Sequence, residues 1–170
     1  MRFHLFNRKI HYWVSVAIAL PALVVVTSGI LLQLKKHWTW VQPPEQRGSG
    51  TSPRIGMSDI LAASRSVPEA GVLTWSDVQR VDIRPDRGVA KVTSRTRWEV
   101  QVDTETGRVL QVAPRRSDLI ESIHDGSWFH DYAKLWIFLP NGVLLLLLWG
   151  TGLYLAWLPY QVRARRRGAP

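Results

Sequence analysis

The sequence predicts an α+β membrane protein, in which two transmembrane helices enclose a helix and an antiparallel meander of three to four strands. Two observations carry that expectation. No Asp, Glu, Lys or Arg occurs from Ile10 to Leu34, nor from Leu135 to Val162. A helix rises about 1.5 Å per residue, so about 25 uncharged residues reach roughly 37 Å, more than a hydrocarbon core of about 30 Å. The charge is also segregated. All 13 acidic residues lie between Glu45 and Asp131, and the stretch from Lys35 to Lys134 answers them with 15 Lys and Arg. The remaining basic residues (Arg2, Arg8, Lys9, Arg163, Arg165, Arg166 and Arg167) flank the two apolar runs. A mean hydropathy typical of a soluble protein therefore averages two membrane segments with one water-facing module.

The elements follow in order. Residues 1–9 read as a cytoplasmic N-terminus, because short basic flanks are retained on the cytoplasmic side. Residues 10–34 read as the first span, with Pro21 as a tolerated break and Thr27, Ser28 and Gly29 as a small-residue patch for close helix approach. Its apolar run is longer than a signal peptide's and lacks a small-residue cleavage pattern, so it reads as an anchor. Residues 35–56 read as a linker rich in Pro, Gly and Ser. Residues 57–113 read as the folded module: a helix over 57–66 with Ser58 as its cap, then strands separated by Pro85-Asp86-Arg87-Gly88 and Thr104-Glu105-Thr106-Gly107. The run Trp98, Val100, Val102 against Glu99, Gln101, Asp103 gives the cleanest period-two alternation. Residues 114–134 read as an amphipathic helix from Ser117 broken at Gly126, and 135–158 as the second span with a small patch at Gly150-Thr151-Gly152. Residues 159–170 complete a basic cytoplasmic tail. Tryptophans at 13, 38, 40, 128, 136 and 157 mark the span ends, where indoles favour the headgroup region. These features place the chain in a bacterial inner membrane as a two-pass protein with both termini cytoplasmic and the central domain periplasmic.

Several function classes are excluded. The net charge of +9 is not a nucleic-acid footprint, because the chain is basic only at its ends and no recognition module accompanies the charge. The absence of cysteine removes disulfides, thiolate catalysis and iron–sulfur ligation. No catalytic residue set and no zinc spacing is visible.

At this point a family resemblance enters. The string Arg8-Lys9-Ile10-His11-Tyr12-Trp13 opening a span resembles the PepSY-associated transmembrane family. So do Leu119-Ile120-Glu121-Ser122-Ile123-His124-Asp125-Gly126 and the later Thr151-Gly152-Leu153-Tyr154 with Pro159. The meander with Asp103-Thr104-Glu105-Thr106-Gly107-Arg108-Val109 is similar to a PepSY domain, in which a helix packs on an antiparallel sheet. The resemblance implies a PepSY-like domain between the spans and leaves function open. Some larger relatives resemble iron–siderophore reductases that hold haem between transmembrane histidines, and PepSY modules elsewhere accompany proteases.

The candidate site residues are histidines. His11 lies about one turn inside the first span, and His124 and His130 flank the start of the second. All three are candidate axial ligands for haem b, which takes neutral imidazole nitrogens. Two copies of His11 in a homodimer would share one haem at the cytoplasmic face. His124 with His37 or His130 would hold another at the far face, with Asp125 and Asp131 as orienting acceptors. The bland reading makes all of them interfacial histidines pointing at headgroups. Three roles follow, the first ranked highest: a membrane subunit or regulator that binds a protein partner; a dimeric haem-b electron-transfer protein linked to ferric iron or siderophore reduction; and a modulator of an envelope protease. The partners implied are the lipid bilayer and a protein partner or second copy.

Overall fold

Two long apolar helices and a four-stranded sheet follow from the segregation of the sequence, and the computed structural model describes them over residues 3–167. Helix α1 is Phe3–Gln33, α2 is Met57–Arg65, α3 is Arg116–Asp125 and α4 is Leu139–Arg167. A π-helical turn, Lys134–Phe138, leads into α4. Strands β1 (Val78–Arg84), β2 (Val89–Ser94), β3 (Trp98–Asp103) and β4 (Val109–Pro114) pair antiparallel in sequence order. The fold class is therefore α+β. Arg2 and residues 168–170 of the expected basic flanks, and the side chains at 163–167, lie outside the described residues.

The chain forms two compact units, one of residues up to Gly29 with those from Ser122, the other Ile30–Glu121. In the first, Leu5–Gln33 and Lys134–Gln161 are long and apolar enough to cross a membrane. Their apolar side chains face outward: Leu20 is 73% and Leu146 67% exposed. A soluble core helix would bury such residues, so lipid is the solvent these faces suit.

In the second unit Ile60 and Leu61 of α2 pack on Ala90 and Val92 of β2 and on Val100 and Val102 of β3. Val67, Ala70 and Val72, from the turn after α2, close the same core. The expected cap of α2 is displaced by two residues. Gly56 is the N-cap, and the Asp59 carboxylate accepts its backbone N–H at 2.8 Å. Asp59 fits because an acid in the first turn both caps and complements the helix dipole.

Period-two alternation tells which residues share a face, and here both faces are covered. The polar face of β2 and β3 carries Lys91, Glu99, Gln101 and Asp103, all buried. Residues 42–50, which read as a linker, run extended across it as a strap. The Gln46 backbone N–H donates to Gln101 Oε1 at 2.7 Å, and Gln101 Nε2 donates to the Pro44 carbonyl at 2.9 Å and to Glu99 Oε1 at 2.7 Å. Glu45 pairs with Lys91, and Arg115 pairs with Glu99. Ser49 donates to Asp103 Oδ2 through its N–H (3.1 Å) and its hydroxyl (2.5 Å). Buried polar groups are tolerable when each has a partner; the strap serves Lys91, Gln101 and Asp103, while Gln101 and Arg115 serve Glu99. Gly88 (φ +66°) lies beneath it, where a Cβ would strike the Gly50 carbonyl.

Candidate functional site

The two small-residue patches each seat one histidine. A Cβ built at Gly29 would stand 3.4 Å from His124 Cε1, and one at Gly152 would stand 3.6 Å from His11 Cε1. A methyl at either position would make ordinary van der Waals contact with the ring, so each imidazole lies close against a helix backbone.

At the end of the pair where α1 begins, His11 Nδ1 lies 2.9 Å from Thr151 Oγ1 of α4. The single Thr151 hydroxyl proton is directed to the Leu147 and Leu148 carbonyls, at 3.0 and 3.1 Å. The ring therefore donates through Nδ1–H and keeps its lone pair on Nε2, an assignment that follows from the acceptors present. The ring lines an open groove of about 490 Å³ with Arg8, Tyr12, Val16, Ala19 and Leu155. No Asp or Glu occurs before Glu45 or after Asp131, and among the described residues no ion pair engages Arg8.

At the other end, where α1 closes, the last turn of α3 delivers His124. Its Nδ1 is 3.1 Å from the Val25 carbonyl, an acceptor only, and 3.0 Å from Ser28 Oγ. Ser28 gives its own proton back to the Val24 carbonyl at 2.5 Å. His124 thus also carries its proton on Nδ1 and its lone pair on Nε2. The ring lines a cavity of about 330 Å³ with Val25, Leu135, Phe138 and Asn141.

His130 is arranged differently. It is exposed, stacks on Tyr132 with centroids 5.4 Å apart, and its Nδ1 accepts the Tyr132 backbone N–H at 3.2 Å. That bond puts the lone pair on Nδ1 and the proton on Nε2, the opposite tautomer. His37 is exposed in the turn after α1. Among the described residues no group of three or more His, Asp or Glu converges as a metal site.

Asp125 and Asp131 also part company. Asp131 is exposed. Burial pushes the Asp125 carboxyl up, but Lys134 and Ser127 outweigh it and bring it down to about 2. Asp125 serves Lys134 Nζ (2.7 Å) and Ser127, not a histidine. Gly126 (φ +86°) then turns the chain, and a Cβ there would collide with the Phe138 ring.

Sequence reasoning found the histidines and missed what holds them. Thr151 and Ser28 were visible as small residues, and hydroxyls that bond back to carbonyls of their own helix give no sequence signal of an imidazole partner. Asn141 gave one signal, a polar side chain inside an apolar run.

The family description "PepSY-associated TM region" matches residues 8–169, nearly the whole chain and both histidine-bearing helices. No curated protein and no solved structure matches the chain. With two membrane helices, a PepSY-like sheet between them and that match, the chain belongs to the PepSY-associated TM region family.

Proposed function

We propose that this protein is a homodimeric membrane haem protein in which His11 of each copy provides one axial imidazole to a shared haem b at the cytoplasmic end of the helix pair. The observation that carries the reading is the His11–Thr151 hydrogen bond at 2.9 Å. It fixes the ring through Nδ1 and leaves Nε2, the nitrogen an iron takes, without a hydrogen-bond partner among the described residues. The groove composition supports the same group. Apolar walls suit a porphyrin face, and Arg8 suits a propionate.

When bound, haem b supplies a one-electron ferric/ferrous couple. His11 would hold it, Val16, Ala19 and Leu155 would give it apolar contact, and Arg8 would pair with a carboxylate. One histidine per chain at this depth makes the site incomplete without a second copy. A haem held there would carry single electrons at the cytoplasmic end, and their delivery to ferric chelates on the far side of the membrane would need a further carrier.

The test is an absorption spectrum of the full chain purified in mild detergent from haem-replete cells, before and after dithionite. A Soret band with a reduced α-band, lost in His11→Ala, is expected. A colourless wild-type protein overturns the reading.

A second reading, binding of a protein partner by the periplasmic PepSY-like module, is favoured by the free edges of β1 and β4 and by Leu73, 71% exposed. An envelope protease is one class of such partner. Co-purification of a stoichiometric protein that is lost with Leu73→Asp supports it, and a haem-bearing dimer without such a partner speaks against it.

A further inference from the structure

Lys35 and Lys36 stand where the first span ends, at the end of α1 away from Arg8 and Lys9. The Leu34 N–H still donates to the Ile30 carbonyl (3.2 Å) and the Lys35 N–H to the Leu32 carbonyl (3.3 Å), so the coiled path continues past Gln33. Tight turns follow: His37 and Trp38 both donate to the Leu34 carbonyl at 2.9 Å, and Val41 donates to the Trp38 carbonyl at 2.9 Å. At about 1.5 Å per residue, both lysines lie within about 5 Å of the last residue of the span. The Trp38 and Trp40 rings, 5.4 Å apart and half-exposed, mark the same level, because indoles favour the headgroup region. All of these residues belong to the water-facing unit, which includes the last turn of α1.

Between this turn and the start of the strap lies a cavity of about 300 Å³, whose lining includes Lys35, Lys36, Thr39, Gln42, Glu45 and Lys91. Its one carboxylate is committed: Glu45 pairs with Lys91 and stands 3.7 Å from the Arg87 guanidinium. Among the described residues no hydrogen bond or ion pair engages the side chains of Lys35, Lys36, Thr39 or Gln42. The cavity therefore offers two ammonium groups, a hydroxyl and an amide. A phosphate diester brings one negative charge and only acceptors, which these donors match. A hydroxylated headgroup also finds an acceptor in the Gln42 amide oxygen. A headgroup that carries its own ammonium finds three lysines and no free carboxylate. Lysines that merely snorkel from a span end need neither a cavity nor neutral donors beside them.

We propose that this cavity holds the headgroup of an anionic phospholipid of the phosphatidylglycerol class. Lys35 and Lys36 take its phosphate, and Thr39 and Gln42 take its hydroxyls. The site shares no residue with the His11 groove and does not require haem.

The test uses the full chain in dodecyl maltoside micelles, with dioleoylphosphatidylglycerol as the probe and the thermal unfolding midpoint as the readout. Wild type is expected to show a saturable rise in midpoint. Dioleoylphosphatidylcholine, which adds an ammonium, and sn-glycerol 1-phosphate, which lacks the acyl chains, are expected to give none. Lys35→Gln/Lys36→Gln is expected to bind about thirtyfold more weakly, about fivefold for each charge near the membrane surface. Arg54→Gln/Arg108→Gln removes the same charge from the turn around Gly107, where Arg54 pairs with Glu105, and is expected to keep the wild-type response. Thr39→Val/Gln42→Leu keeps every charge and is expected to bind about tenfold more weakly through lost hydrogen bonds, an effect that diffuse surface attraction lacks. His11→Ala is expected to keep the response while losing any haem spectrum, so the two readings fail separately. No saturable shift in wild type, an equal shift with phosphatidylcholine or sn-glycerol 1-phosphate, or wild-type binding in either cavity variant overturns the proposal.

Discussion

Two hydroxyls decide the state of the two histidines in the helix pair. Thr151 and Ser28 each hand their proton to a carbonyl within their own helix, which leaves an oxygen able only to accept. Replacing Thr151 by Val removes that acceptor and strands the His11 Nδ1–H, at a cost of about 1–3 kcal/mol. Thr151→Val is expected to lower the melting temperature in detergent, and Thr151→Ser to restore it. Asp103 makes the same kind of point in the water-facing module. Burial pushes its carboxyl up, but the donors from Ser49, Glu105 and Thr106 prevail and hold it well below the ordinary value near 3.8. A carboxylate held low in the folded state stabilises fully above its unfolded value, and the contribution fades as pH falls through the folded one. Asp103→Asn is therefore expected to lower the urea midpoint at pH 7 and to flatten the loss of stability below about pH 4. Tryptophan fluorescence across a pH series reads both effects.

Strands were legible element by element, because Trp98, Val100 and Val102 alternate with polar residues and Gly88 and Gly107 punctuate the turns. The burial of the alternate set was not. Glu99, Gln101 and Asp103 look like a wet face, and only tertiary partners from a Pro/Gly/Ser-rich segment make it a dry one. Composition marks such a segment as irregular, and irregular chain that satisfies side-chain hydrogen bonds is indistinguishable in sequence from a free tether. The π-helical turn Lys134–Phe138 was equally silent, since apolar residues have no period that separates it from an α-turn. The strap makes a measurable claim. Gln101 carries two of its hydrogen bonds, both to strap backbone, so Gln101→Ala should release it. Tryptic cleavage after Arg47 is expected to accelerate several-fold while the melting of the sheet changes much less.

For the whole molecule, the architecture was readable because solvent sorts residues coarsely. Two charge-free runs, one balanced stretch and basic ends suffice to order spans and module. The candidate site was readable only to the level of residue type. Three histidines near span ends looked alike in sequence, and the ring environments separate them, with Nε2 open in His11 and His124 and Nδ1 engaged in His130.

One feature of the water-facing unit bears on how this architecture is assembled. The Val41 carbonyl accepts the Ser117 N–H at 2.8 Å, and the Arg116 guanidinium sits 5.0 Å over the Trp40 ring while donating to the Trp40 carbonyl at 3.1 Å. The module begins and finishes at one clasp. A segment whose two ends already touch behaves as a cassette: it can be inserted into a host chain or lifted out without leaving a gap to bridge. Residues 41–117 expressed alone are expected to melt cooperatively in water, with dispersed amide resonances, and a grafting site needs only two positions about as close as neighbouring strands.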